Sequence, residues 1–353
     1  MKNKQLKSLV LSTLLISCII SFVGCSKNNK VTSPLTRTES IMGTVVKVTL
    51  YDSDDEKILD KAFDRVREIE KSVSINKDGT ILDKVNDSSG ISPVIVDDDT
   101  LTIVKKGLEY SNISNGLFDI TIGPLVKLWS IGLPEERSPQ QGVPSKEELD
   151  VALSYINHNA VELNEEDKSI FLKNPHMIID LGGIAKGYAA DKVSEVLTEN
   201  NVHSAIIDLG GNIFAHGKKT SGENWKIGIQ NPASSRNDIL GTIEVNNKSV
   251  VTSGTYERFV EYDGVKYHHI LNPKTGFPYE NNISGISIIS DKSIDGDALS
   301  TSVFAMGVED GLAFIESQSD IEAIFVTTDN KIYLSSGMKT IFNLTNTEFQ
   351  IAN

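Results

Sequence analysis

Cysteine is nearly absent from this 353-residue chain: there are two, Cys18 and Cys25, both near the N-terminus. That excludes a disulfide framework, and it excludes a cysteine-based metal site or thiol nucleophile from the body of the chain. Histidine is scarce too, with six residues, of which only His268 and His269 are adjacent. Positive charge is short: 34 Lys and Arg stand against 48 Asp and Glu, a formal net charge of −14. So acidic a chain is not expected to bind nucleic acid, which requires a basic footprint, nor to adhere electrostatically to anionic lipid. If the substrate carries phosphate, a metal ion must offset part of the repulsion.

Long apolar runs are also missing, with one exception. Leu9 to Val23 is apolar, follows the basic residues Lys2, Lys4 and Lys7, and ends in Phe22-Val23-Gly24-Cys25. It falls below the ~20 residues of a membrane span and reads as a signal peptide. A cysteine at the cleavage point reads as a lipobox, with Phe22 where Leu is usual. The expected division is a lipoprotein signal peptide over 1–24, a lipid-anchored tether over 25–38 with Cys25 as the attachment site, and one folded domain over 39–353. The alternative is an uncleaved anchor helix. Either way the remainder lies outside the cytoplasm, at the membrane. Loss of the three lysines takes the formal charge to −17 and leaves 329 residues, enough for a large apolar core.

The elements alternate in type. Ile41 to Tyr51 reads as a strand, and Asp55 to Val73 has helical spacing of Ile58, Leu59, Ala62, Phe63, Val66 and Ile69. Further helices are expected over Asp99 to Ser114 and over Ser145 to Asn157, the latter opened by a Ser145/Glu148 capping box. Pro134 to Pro144 reads as an exposed loop. Hairpins are expected over Val161 to Leu172 and around Asp263-Gly264 between Glu257 and Ile270. Strands at Asn282 to Ser290 and Ile321 to Thr327 flank a helical stretch from Asp295 to Glu316. This is mixed α/β with antiparallel hairpins, not a doubly wound parallel sheet. Ile178-Ile179-Asp180-Leu181-Gly182-Gly183 recurs 28 residues later as Ile206 to Gly211. Both copies read as a strand entering a Gly-Gly turn, with a helix between them.

Four segments carry candidate chemistry. Asp180 to Gly187 turns through two glycines into a helix, so its amides and Lys186 would attract an anion; a purely structural turn is the competing reading. Asp297 and Thr301 share a helix face beside Ser300, an oxygen-only set that suits magnesium rather than zinc; the competing reading is a carboxylate complementing the helix dipole. His268 and His269 point to opposite faces of a strand, so one can serve as a general base. Gly116 to Trp129 packs aromatics around glycines, as core or as the wall of a flat-ring pocket.

Together and in this order, these segments resemble the ApbE family of FAD:protein FMN transferases, as do Met42-Gly43-Thr44 and Thr252-Ser253-Gly254-Thr255-Tyr256. The likeness spans about Glu39 to Gly307. It implies one mixed α+β, T-fold-like domain with FAD in a cleft. The residues at the family's FAD positions are Met42, Asn76, Leu117, Phe118, Asp119, Asp180, Lys186 and Leu271. Those at its magnesium positions are Gly183 through its backbone oxygen, Asp297 and Thr301, with Ser300 where some members have a second Asp. His269 matches the proposed base. The implied reaction is Mg²⁺-dependent transfer of FMN from FAD to a threonine of a redox flavoprotein bearing a Ser/Thr-Gly-Ala-Thr type motif, with AMP released. This chain has no such motif itself. Asn76 departs from the aromatic residue usual in the transferases, which keeps a second outcome open: hydrolysis of FAD to FMN and AMP. A third is a lipoprotein that binds FAD without turnover. A generic solute-binding lipoprotein would need two similar lobes, and the short repeat does not supply them.

Overall fold

The first turn of the chain departs from the expected single strand over Ile41 to Tyr51. In the computed structural model, which describes residues 33–75, 77–131, 142–234 and 238–353, that stretch is one arm of a hairpin. β1 (Leu35–Ile41) and β2 (Thr44–Leu50) pair antiparallel across Met42-Gly43, whose φ values of 55° and 67° make a two-residue turn of the twist that hairpins favour. Met42 is a rare non-glycine at positive φ, and its N–H donates to Glu70 Oε1 at 2.7 Å. β1 also begins inside the stretch expected to be tether. Cys25 with residues 1–24, Asn76, and most of the Pro134 to Pro144 loop lie outside the described residues.

The chain continues through α1 (Glu56–Val73), α2 (Ile81–Asp87), β3 (Val94–Ile95), α3 (Asp98–Ile113), α4 (Gly123–Trp129), α5 (Lys146–Ser154), β4 (Val161–Asn164), β5 (Ser169–Leu172) and α6 (Ala185–Glu199). Strands β6 (Ser204–Leu209), β7 (Asn212–Gly217), β8 (Trp225–Gln230), β9 (Ile239–Val245), β10 (Lys248–Gly254), β11 (Phe259–Tyr262), β12 (Val265–His268) and β13 (Ile283–Ser290) follow. The C-terminal part is α7 (Ser293–Met306), α8 (Val308–Glu316), β14 (Glu322–Thr327), β15 (Lys331–Leu334), α9 (Met338–Ile341), β16 (Phe342–Leu344) and β17 (Gln350–Ile351).

Nine strands form the main sheet in the order β1-β2-β6-β7-β10-β13-β14-β15-β17, antiparallel except at β15–β17. Its inner strands, such as β13 and β14, are buried on both faces because both are covered. In β14, Ala323 and Phe325 join the core under α1, α6 and α7, while Ile324 and Val326 pack against the small sheet β16-β9-β8. α1 runs as expected from an Asp55 N-cap, which accepts from Lys57 N at 3.0 Å, and buries Phe63, Leu59 and Ile69 completely or nearly so. Each such side chain contributes about 1.5–3 kcal/mol relative to exposure. The Ser145/Glu148 capping box is present.

Two further expectations need correction. The helical stretch from Asp295 to Glu316 is two helices, broken at Gly307, whose φ of 84° ends α7. The repeated Ile-Ile-Asp-Leu-Gly-Gly segments differ in structure. Ile206 to Leu209 lies in β6 and turns through Gly210-Gly211 into β7. Ile178 to Leu181 makes only an isolated bridge, from Ile178 to Ile122, before its glycines lead into α6. Among the described residues no helix is long and apolar enough to cross a membrane.

Candidate active site

α6 and α7 set the geometry of the cleft by their closeness. A Cβ on Gly187 of α6 would lie 2.3 Å from Ser293 O and 2.7 Å from Ile294 Cα of α7, so only glycine fits. Across this contact Gly187 N–H donates to Asp297 Oδ2 at 2.8 Å. In return the buried Asp191 of α6 accepts from Ser293 N at 2.8 Å and Ile294 N at 3.0 Å, capping α7 from its neighbour. Gly187→Ala in an exposed helix would gain about 1 kcal/mol from propensity. Here the added methyl meets backbone, so a loss of about 1–3 kcal/mol is expected. Urea unfolding measures it, and a gain in stability would contradict the packing.

Asp297 projects into a cavity of about 210 Å³ with Thr301 one turn on, and with Gly183 and Lys186 opposite. Thr301 Oγ1 is 3.7 Å from where a Gly183 Cβ would sit, and Lys186 Nζ is 3.5 Å from Asp297 Oδ1. A carboxylate and a hydroxyl thus line the cavity beside the Gly183 backbone, a hard oxygen-donor set that fits Mg²⁺. Among the described residues no group of three or more His, Cys, Asp or Glu side chains is placed to hold a metal ion. One carboxylate with neutral oxygens suits an ion that also binds substrate phosphate. Ser300, read from sequence as a further ligand, does not line the cavity. It is fully buried behind it, donating to Asp297 O at 2.8 Å and bonded to Ser253 Oγ at 2.8 Å.

The turn before α6 also differs from the expected cradle of amides. Gly182 N donates to Asp180 Oδ1 at 2.6 Å, Ile184 N and Ala185 N to Leu181 O, and Gly187 N to Asp297. These donors are occupied, which narrows the cradle, and the Lys186 ammonium adds a positive charge beside it. Burial pushes the Asp180 carboxyl above its ordinary pKa, opposed by the Gly182 N–H and the charges of Lys186, Arg258 and Lys127.

His269 follows β12 and faces the cavity. Its Nδ1 lies 3.2 Å from Arg258 O. A carbonyl can only accept, so Nδ1 carries the proton and Nε2 keeps its lone pair. Burial first, then the charges of Arg258, Lys186 and His268, push its pKa down to about 4. His268 points the other way, as alternation requires: Nε2 donates to Tyr279 O at 3.0 Å, and the ring meets Phe304 edge-on.

The Gly116 to Trp129 segment supplies one wall. Leu117, Phe118 and Asp119 line the cavity with Trp129, and Leu271 lies opposite. Phe118 Cε2 is 3.1 Å from a Cβ position on Gly183, so a side chain there would displace the ring. Tyr279 OH donates to Leu117 O at 2.8 Å, and Trp129 Nε1 to Gly276 O at 2.7 Å. The buried Asp119 carboxylate accepts from Thr121 N and Oγ1 at 2.8 and 2.6 Å and meets His158 Nδ1 at 2.7 Å. Its side chain therefore holds the loop. A second lobe of about 130 Å³, lined by Met42, Glu70, Ser74 and Ile75, shares Val126, Ile131, Asp180, Gly182, Lys186 and Arg258 with the first. The two make one cleft.

Sequence reading missed Arg258, Asp191, Gly187 and His158. Arg258 lies two residues past the quoted Tyr256 in the most open part of the β10–β11 connection, where no periodicity marks a role.

A family model described as the ApbE family matches residues 42–325. The chain belongs to the ApbE family. The FAD:protein FMN transferase of Klebsiella pneumoniae (strain 342) is 36% identical over 311 residues, 88% of this chain and 95% of that one. Its counterpart in Treponema pallidum is 33% identical over 91% of this chain and 92% of its own. Among solved structures, the ApbE protein of Thermotoga maritima superposes with a TM-score of 0.80 at 28% identity, covering 88% of this chain and 99% of that one. The flavin transferase ApbE of Vibrio cholerae gives 0.78 at 25%, with the same coverage. The mixed α+β fold expected from the sequence is thus the ApbE fold.

Proposed function

We propose that this ApbE-family chain transfers FMN from FAD to a threonine hydroxyl of a partner flavoprotein and releases AMP. The observation that carries this is one cleft holding a base, an oxygen-donor metal position and a lysine: His269 Nε2, Asp297 with Thr301, and Lys186. The names of the curated relatives support the flavin chemistry. The acceptor oxygen attacks the FMN-side phosphorus, its proton passes to His269 Nε2, and the bond to the AMP phosphate oxygen breaks. Asp297, Thr301 and the Gly183 carbonyl would hold Mg²⁺, which would neutralise pyrophosphate charge. Lys186 adds a fixed cation, and the aromatic wall excludes water. The proposed acceptor bears a Ser/Thr-Gly-Ala-Thr type motif. The proposed location is outside the cytoplasm, with Cys25 carrying a lipid that holds the chain at the membrane.

Incubation with FAD and Mg²⁺, with and without a protein bearing the acceptor motif, tests the reading. AMP formed only with acceptor supports transfer. AMP and free FMN formed without acceptor support the second reading, an FAD pyrophosphatase. No AMP from a chain that binds FAD would sink both and leave a flavin-binding lipoprotein.

Asn76 favours keeping the second reading. Its neighbours Ser74 and Ile75 line the second lobe. An aromatic at position 76 could stack on a ring of the dinucleotide, whereas Asn cannot. Asn76→Tyr is expected to tighten FAD binding by roughly 3- to 10-fold, as an aromatic contact of 0.5–1.5 kcal/mol would. It should also slow release of free FMN. Flavin fluorescence titration and chromatography of the products check both, and unchanged values would remove position 76 from the account.

A further inference from the structure

Arg258 is the cation that the reaction above leaves without a task. It lines both lobes, which also share Asp180, Gly182 and Lys186. Among the described residues it makes no ion pair with an acid, and its side chain has one hydrogen bond, from Nη2 to Gly43 O at 3.2 Å. A guanidinium has five donors in a planar fork, so most of this one remains available. Its charge reaches the walls on both sides, since it lowers the proton affinity of Asp180 and of His269. Asp297 and Thr301, by contrast, line the first lobe alone.

We propose that Arg258 is a further catalytic residue, whose guanidinium binds the pyrophosphate of FAD where the dinucleotide crosses between the lobes. This rests on the FAD-cleaving reading of the same cleft. The two halves of FAD are joined only by the pyrophosphate, so a ligand occupying both lobes carries that group past the residues they share. Lys186 meets it from the α6 side and Arg258 from the β10–β11 side. As the acceptor oxygen bonds to the FMN-side phosphorus, the leaving bridging oxygen gains negative charge on AMP, and the fork stabilises that charge. The Arg258 carbonyl meanwhile orients the His269 ring through Nδ1. One residue thus joins the base to the leaving group.

The competing role is structural, a brace that holds the Met42-Gly43 turn through Gly43 O. Riboflavin separates the two roles because it has the ring system but no phosphate. Arg258→Gln keeps a donor and loses the charge; Arg258→Lys keeps the charge. For Arg258→Gln, FAD affinity should fall about 10- to 100-fold, the range of a hydrogen bond to a charged group, with riboflavin affinity unchanged. Arg258→Lys should lie closer to wild type in FAD affinity. The acid limb of kcat/KM should move up in Arg258→Gln and stay in place in Arg258→Lys, because Arg258, Lys186 and His268 are the charges facing His269. Equal weakening of riboflavin and FAD would overturn the proposal in favour of the brace, as would wild-type FAD affinity in Arg258→Gln. Failure of the wild type to release AMP would instead sink the parent reading, and the two affinities would still decide whether Arg258 binds phosphate.

Discussion

Asp297→Ala should reduce Mg²⁺-dependent AMP release by about 10³-fold or more, the scale set by losing preorganised charge stabilisation at a reacting phosphoryl group. Among the described residues Asp297 is the carboxylate of the proposed metal position, one turn from Thr301 on α7 and across the α6–α7 contact from Gly183. It also accepts the Gly187 N–H, so alanine leaves a buried donor unsatisfied, at about 1–3 kcal/mol. Asp297→Asn separates these effects. The amide oxygen can still accept from Gly187, so stability should stay near wild type while turnover falls almost as far. Rates measured across a Mg²⁺ titration check this. A wild-type Mg²⁺ curve in Asp297→Asn would show that the ion is held elsewhere.

His269→Ala should cost about 10²- to 10⁴-fold in transfer, the usual contribution of a positioned general base. The pH dependence sharpens this. Only neutral imidazole can take the acceptor's proton, and burial with nearby positive charge holds the folded-state pKa at about 4. Neutral His269 therefore persists as pH falls through the ordinary histidine range near 6.5 and is lost only as pH passes through about 4. The kcat/KM profile of the free enzyme should show its acid limb there. A limb near 6.5 that disappears in His269→Ala would mean that the cleft solvates the ring far better than its packing indicates. A profile and rate unchanged in His269→Ala would remove the base from the mechanism.

Much of this was legible because local chemistry and global fold agree. Ser145 caps the helix it was expected to cap, α1 covers the stretch read as helical from Asp55, and Asp263-Gly264 closes its hairpin with positive φ at both residues. Alternation alone assigned the two histidines to opposite faces. Most of the misses share a cause, a contact distant in sequence; the Asp180 bond to Gly182, two residues on, is the local exception. Met42 carries no turn signature, yet Glu70, 28 residues on, receives its N–H and holds the turn. Ser300 has the right spacing for a ligand, but its hydroxyl is turned to Asp297 O and to Ser253 of β10 rather than into the cavity. The Gly182 and Gly187 amides looked open at a helix start, and two carboxylates, Asp180 and Asp297, already use them. Nothing local says that Ser293 O passes within 2.3 Å of the missing Cβ of Gly187, so the need for glycine there did not show. The two identical Ile-Ile-Asp-Leu-Gly-Gly segments make the same point: one leads into a helix and the other into a hairpin, according to what each packs against.

The central claim is that this cleft moves FMN onto a protein hydroxyl. The direct measurement is the intact mass of an acceptor bearing the Ser/Thr-Gly-Ala-Thr type motif after incubation with the chain, FAD and Mg²⁺, with AMP quantified alongside. The account predicts that the acceptor gains one FMN less one water, that one AMP appears per acceptor modified, and that replacing the final threonine of the motif by valine abolishes both. An unmodified acceptor, with FMN free in solution and AMP formed at the same rate whether or not acceptor is present, would contradict it.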